Sequence, residues 1–161
     1  MSSDSLELCR EKALRLLENS PHSVMGLKRK LFNAGKFTAR DIQTVIDDLQ
    51  KAGLLNDVQF AEDYIDYLKT TGIGRFKAAF KLKNKGLSQA IIQEAMARRW
   101  ETDDDGDTGR AAFAARQKWQ SLKARKNMTD IKKLQAVARF LAGRGFSPPV
   151  IHFALDEIKN Q

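Results

Sequence analysis

Apolar residues recur along this chain at intervals of three and four, the spacing that lines one side of an α-helix, and polar residues fill the positions between. Leu6, Cys9, Ala13 and Leu16 make one stripe, Val24, Leu27 and Leu31 a second, and Ile42, Val45, Ile46 and Leu49 a third. Phe60, Ala61, Tyr64, Ile65 and Leu68 come next. Phe76, Ala79 and Leu82 follow, and then Ile91, Ile92, Ala95 and Met96, ending near Trp100. The remaining stripes are Ala112, Ala115, Trp119 and Leu122; Ile131, Leu134, Ala138 and Leu141; and Val150, Ile151, Ala154, Leu155 and Ile158. Each predicts a short helix. No segment alternates with the period of two that a half-buried strand requires, so no sheet is expected.

The helices sort into three sets because one turn signal repeats. It reads Lys85-Gly86-Leu87-Ser88 and Arg144-Gly145-Phe146-Ser147, with a looser copy at Gly35-Lys36-Phe37-Thr38, where one more residue separates glycine from aromatic. Glycine tolerates the left-handed backbone that ends a helix, and Ser or Thr accepts the orphan amides that begin the next. Leu31, Leu82 and Leu141 each stand four residues before the glycine, and Ile42, Ile92 and Ile151 each stand five after Phe37, Leu87 and Phe146. Ile46, Met96 and Leu155 continue the phase. The pattern predicts an all-α chain of three tandem three-helix, helix-turn-helix-like repeats, each of about fifty residues. Their expected bounds are 1–56, 57–100 and 110–161, with an acidic linker at 101–109. In 161 residues, 42% of them apolar, repeats of this size favour an elongated row of small bundles with thin cores.

No run of eighteen apolar residues is present to cross a membrane, and Met1-Ser2-Ser3-Asp4 is not the basic start of a secretory segment. A cytoplasmic monomer that makes no membrane contact is expected. The single cysteine, Cys9, lies on an apolar stripe, which excludes an intramolecular disulfide and points to a core position.

Charge carries the functional signal. Lys and Arg number 28 against 20 Asp and Glu, a formal net charge of +8, and the excess is uneven. Arg75, Lys77, Lys81, Lys83 and Lys85 form a run without an acid. Between Arg110 and Arg144 there are ten basic residues and one acid, Asp130; the run includes Arg116, Lys118, Lys123, Arg125, Lys126, Lys132, Lys133, Arg139 and Arg144. Clusters of this kind neutralise phosphates or meet an acidic protein surface, with strong salt dependence. Both runs are therefore candidate contacts to DNA or to a protein partner. Aromatics are few and mostly fall on the apolar stripes, so no stacking platform for single strands is evident. No helix concentrates Arg, Asn and Gln as a base-reading helix does.

Other chemistry does not assemble. Glu101, Asp103, Asp105 and Gly106 copy the start of a calcium loop, but residue 112, where a bidentate Glu belongs, is Ala112. Gly72-Ile73-Gly74 lacks both the preceding strand and the third glycine of a nucleotide loop and reads as an inter-helix turn. His22 and His152 have no cysteine or carboxylate at metal-ligand spacing. No catalytic triad, metal or other cofactor is expected.

The stretch Ile46-Asp47-Asp48-Leu49 through Gly53-Leu54-Leu55-Asn56-Asp57-Val58-Gln59-Phe60-Ala61-Glu62-Asp63-Tyr64 resembles the signature of the RecX family, bacterial regulators of the recombinase RecA. The resemblance continues through Gly74-Arg75-Phe76 and Lys85-Gly86-Leu87-Ser88 and resumes at Ala138-Arg139-Phe140-Leu141 with the third glycine signal. The chain departs from it at Lys81-Leu82, where such proteins often carry Glu-Leu, and in the segment from Glu101 to Thr108. The resemblance implies a curved array of three repeats that associates with the RecA filament on DNA and restrains its ATPase and strand exchange, with DNA binding besides. A stand-alone helical DNA-binding module or transcriptional regulator is the alternative reading. In the signature block, Gly53 is expected to end a helix and Asn56 or Asp57 to cap the next.

Overall fold

The computed structural model describes residues 2–100 and 106–161, and all regular structure among them is helical. The helices are α1 (Ser2–Asn19), α2 (Val24–Asn33), α3 (Ala39–Lys51), α4 (Asp57–Lys69), α5 (Arg75–Asn84), α6 (Gln89–Arg99), α7 (Gly106–Lys123), α8 (Asp130–Gly143) and α9 (Pro148–Lys159). The fold is all-α, as the periodicity predicts.

The repeated turn signal does what its residues dictate. Gly35, Gly86 and Gly145 have φ of 68°, 81° and 87°, in the left-handed region that Cβ-bearing residues avoid. Thr38 then accepts the Asp41 amide at 3.1 Å and Ser88 the Ile91 amide at 3.3 Å. Ser147 occupies the same position but makes no side-chain cap, and Pro148 and Pro149 fill the first two positions of α9, where a missing amide hydrogen costs little. Leu31, Leu82 and Leu141, each one turn before the glycine, are fully buried.

Contacts divide the chain into two units, Met1–Asp63 with Leu82–Gln93, and Tyr64–Lys81 with Glu94–Gln161. In the first unit the stripes of α1, α2 and α3 close on Cys9, Ala13, Leu27, Leu31, Ile42, Val45, Ile46 and Leu49, and Leu55 from the following turn joins them. The turn after α5 lies on the start of α2 in the same unit. The Ser23 hydroxyl accepts the Gly26 amide at 3.0 Å and donates to the Lys85 carbonyl. A Cβ on Gly86 would stand 2.5 Å from the Cβ of Met25, so this turn requires glycine for space as well as for φ.

The second unit builds the same joint again. Its core gathers Ala111, Ala114, Ala115 and Leu122 of α7 with Val137, Leu141, Phe146, Ala154 and Ile158. The turn after α8 lies on the start of α5: the Gly74 amide donates to the Arg144 carbonyl at 2.8 Å and the Phe76 amide to the Gly145 carbonyl at 3.1 Å. A Cβ on Gly145 would come within 2.4 Å of the Lys77 backbone nitrogen, and one on Gly74 within 2.5 Å of the Gly145 oxygen. Backbone meets backbone at this joint, and only glycine permits the approach.

Three expectations need correction. Phe76, placed on the buried stripe of α5, is 62% exposed; Ala78 and Leu82 are the buried residues, and Phe80 is 61% exposed on the side that Phe76 takes. Ile131 is 70% exposed while Val137 is buried, because the inward face of α8 runs through Val137 and Leu141. The segment expected as an acidic linker is helical from Gly106 onward; residues 101–105, including Glu101, Asp103 and Asp105 of the rejected calcium loop, lie outside the described residues.

Candidate functional site

Helix α5 is basic because its short buried face consists of Ala78 and Leu82, which leaves most other positions to charge. Arg75 is exposed at its first position, and its amide donates to Asp107 Oδ2 at 3.0 Å. Lys77 is half-buried and its ammonium donates to the Gly143 carbonyl at 3.2 Å, so it belongs to the joint with the α8 turn. Lys81 is half-buried, and Lys83 and Lys85 are exposed.

The second cluster splits by environment. Lys123, Arg125 and Lys126 are exposed at the end of α7 and in the turn beyond it, and Lys132 is exposed in the first turn of α8. Lys133 is half-buried with its ammonium 3.4 Å from Asp130, and Arg139 is exposed on α8. Lys118 and Arg144 meet at Phe140: the Lys118 ammonium lies 5.4 Å and the Arg144 guanidinium 5.0 Å from its ring centre, while Arg116 is exposed on α7. Arg144 Nη1 also donates to the Thr71 carbonyl at 3.1 Å.

Lys69, a cation outside both basic runs, and Arg110, which opens the second run, also stand in this region. Lys69, at the end of α4, donates to the Arg99 carbonyl, and Arg110 lies over the Trp100 ring at 4.8 Å. Asp107 fastens the neighbourhood, accepting Trp100 Nε1 at 2.8 Å and Arg110 Nη2 at 3.1 Å besides the Arg75 amide. Lys69, Arg110, Arg116 and Arg144, with Phe113 and Phe140, border a cleft of about 730 Å³, and none of its described lining residues is acidic. Sequence order hides this grouping, because Lys69 and Arg144 are separated by most of the second half of the chain.

Elsewhere the titratable groups are structural. The Cys9 thiol is fully buried, and loss of hydration, with the Asp41 carboxylate nearby, pushes its pKa up. His22 donates through Nδ1 to the Ser20 carbonyl at 2.7 Å, and partial burial lowers its pKa. No group of three or more His, Cys, Asp or Glu suited to a metal occurs among the described residues. No described helix is long and apolar enough to cross a membrane.

Residues 56–96 match the family described as RecX, second three-helix domain. A protein named regulatory protein RecX from Legionella pneumophila (strain Corby) is 33% identical over 150 residues, which cover 93% of this chain and 94% of that one. This chain belongs to the RecX family. The regulatory protein RecX of Chlorobium phaeobacteroides (strain BS1) is 31% identical over 147 residues, covering 91% and 90% of the two chains. In fold, the crystal structure of RecX from Lactobacillus salivarius superposes with a TM-score of 0.82 over 99% of both chains, at 19% identity.

The RecX signature residues are architectural where the structure shows their contacts. Gly53, with φ of 73°, ends α3. Asn56 Oδ1 accepts the Val58 and Gln59 amides at 3.0 and 3.1 Å and is the cap of α4. Asp57 turns away from that task and accepts the Val24 amide at 2.8 Å, capping α2. The two candidates for one cap thus serve two helices.

Proposed function

We propose that this chain binds the RecA recombinase filament and modulates it, mainly by inhibiting its ATPase and strand-exchange activity, with accessory binding of DNA. The observation that carries the reading is 33% identity to a protein named regulatory protein RecX over 150 residues, 93% of the chain. The exposed cations Arg75, Lys83 and Lys85 of the first cluster and Arg116, Lys123, Arg125, Lys126, Lys132 and Arg139 of the second support it, since a filament on nucleic acid presents phosphate and acidic protein surface together. Repeats that each make a modest contact bind a polymer well, because the first contact raises the effective concentration of the next. A binder that prefers one filament conformation holds the protomers there and slows ATP turnover without chemistry of its own.

The test is recombinase ATPase measured with DNA in large excess. A filament binder still inhibits, whereas a stand-alone DNA-binding module, the reading that the same basic clusters would favour, is titrated away. Co-sedimentation with recombinase alone, with DNA alone and with the assembled filament completes the test, with retention strongest on the filament.

A further inference from the structure

We propose that the groove between α2 and α3 is a docking site for an acidic amphipathic helix of a second protein, separate from the filament contact. None of its residues belongs to either basic run, so the groove stands independently of the reading above.

The groove has a volume of about 450 Å³. Helix α2 lines it with Met25, Lys28, Arg29 and Phe32, α3 contributes Ala39 and Ile42, and none of the described lining residues is acidic. Leu27 and Leu31 take the buried stripe of α2 into the core, while Met25 and Phe32, on a different stripe, are 49% and 69% exposed. The two stand seven residues apart, two turns or about 10 Å along the helix. Single apolar residues are ordinary at a surface, but two in register beside a concavity make a strip that a partner can cover. The Gly86 turn approaches the Cβ of Met25 closely, which holds the base of that side chain in place. Lys28 and Arg29 fill the turn between the two apolar residues, and neither makes an ion pair among the described residues.

The order along α2, apolar, two cations, apolar, decides the class of ligand. A helix laid along this strip offers apolar anchors at the same spacing of seven, and carboxylates between them meet Lys28 and Arg29. Methionine suits such a contact because its unbranched thioether adapts to the anchor it receives. A nucleic-acid strand needs cations that follow its phosphates and rings that stack its bases. Here the two cations share one turn, and Met25, Ala39 and Ile42 present aliphatic rather than flat surface. A basic helix would place like charges together, and a neutral one would cover the cations without pairing them.

The experiment follows the anisotropy of a labelled synthetic helix of about eighteen residues, long enough to keep its fold, titrated with the full chain across a range of salt. The probe carries Leu and Phe along one face and Glu elsewhere. One comparison peptide has the same composition with its apolar residues scattered, and another has Lys in place of Glu. The patterned acidic helix is expected to bind about tenfold more tightly than either. Phe32→Ala should weaken it roughly tenfold with little change in salt slope. Lys28→Glu with Arg29→Glu should weaken it and flatten the slope. Phe153→Ala, which removes an exposed ring from α9, should bind as wild type. Circular dichroism confirms the fold of each variant, and Phe32→Gln replaces the alanine variant if that one unfolds. Equal affinity for the scattered peptide overturns the proposal, as does unchanged binding in Phe32→Ala or equal weakening by Phe153→Ala. Binding of labelled oligothymidylate that falls with Phe32→Ala overturns it too and makes the groove a nucleic-acid contact. The same preparations are assayed on recombinase-filament ATPase, where Phe32→Ala should act as wild type; lost inhibition there would merge the groove with the filament contact and end its separate role. A wild-type chain that holds the helix through Phe32 yet leaves filament ATPase untouched upholds the groove and rejects the filament reading.

Discussion

Asp57 Oδ1 accepts the Val24 backbone amide at 2.8 Å, so the first residue of α4 caps α2, a helix that begins 33 residues earlier. Ser23, the residue before Val24, accepts the Gly26 amide and donates to the Lys85 carbonyl, so two side chains satisfy the start of α2 and one of them ties it to the turn after α5. Three segments of the first unit meet there.

Removing the Asp57 carboxylate should therefore loosen α2 and spare α4. Asp57→Ala is expected to lower stability by about 1 kcal/mol, the usual cost of losing a side-chain cap. Hydrogen exchange locates the loss: protection falls at the Val24 amide and holds at Val58 and Gln59, which Asn56 serves. Asn56→Ala should give the opposite pattern. Equal loss at both helix starts in either variant would show that the two caps are not separate.

The glycine turns give a graded prediction. At Gly35 an added Cβ meets nothing within 4 Å, so Gly35→Ala should cost only the backbone strain of its positive φ, about 1 kcal/mol. At Gly86 the same strain is joined by Met25 Cβ at 2.5 Å, so Gly86→Ala should cost clearly more, and Gly86→Val more again. Met25→Ala should not rescue it, since alanine keeps the offending Cβ. Urea denaturation of the variants ranks them, and equal midpoints for the Gly35 and Gly86 alanine variants would contradict the close approach.

Much of this architecture is legible in the sequence, because local physics decides it. The left-handed glycines, the Thr38 and Ser88 caps and the buried Leu31, Leu82 and Leu141 need only neighbours in the chain to be recognised. The misplacements of Phe76 and Ile131 have one cause. In a short helix two stripes fit the period nearly as well as each other, and the choice falls to what packs against α5, which buries Ala78 and Leu82 and leaves Phe76 outside. The candidate site is legible in part. Runs of lysine and arginine show where charge is dense, but not that Lys77, Lys133 and Arg144 are committed to protein contacts. Lys69 and Phe113 escape because they join the other cleft residues only through the fold.

Cys9 should be inert while the protein is folded. Its thiol is fully buried and its pKa is raised, so at pH 8 both access and the thiolate fraction are low. A chromogenic disulfide reagent should label it slowly, at a rate set by opening of the first unit, and at once in denaturant. Rapid labelling of the native protein would place the sulfur at the surface of α1.

Charge reversal should separate regulation from folding, provided that the residues are chosen by environment. Lys123, Arg125, Lys126 and Lys132 are exposed, so replacing all four with Glu should change stability little, by about 0.5 kcal/mol or less per site. Lys77 and Lys133 make poor choices, since Lys77 holds the Gly143 carbonyl and packs on Gly145, and Lys133 is paired with Asp130. In the fourfold variant, inhibition of recombinase-filament ATPase should fall sharply. Each reversal removes an attraction to phosphate or carboxylate and adds a repulsion, and the remaining inhibition should depend less on salt. A second variant, Arg75→Glu with Lys83→Glu, tests α5 without touching the Lys77 joint. Circular dichroism supplies the folding control. If both folded variants inhibit like wild type at every salt concentration, these exposed cations are a solvated surface, and the contact lies on another face, for which the exposed rings of Phe76 and Phe80 on α5 are the next residues to change.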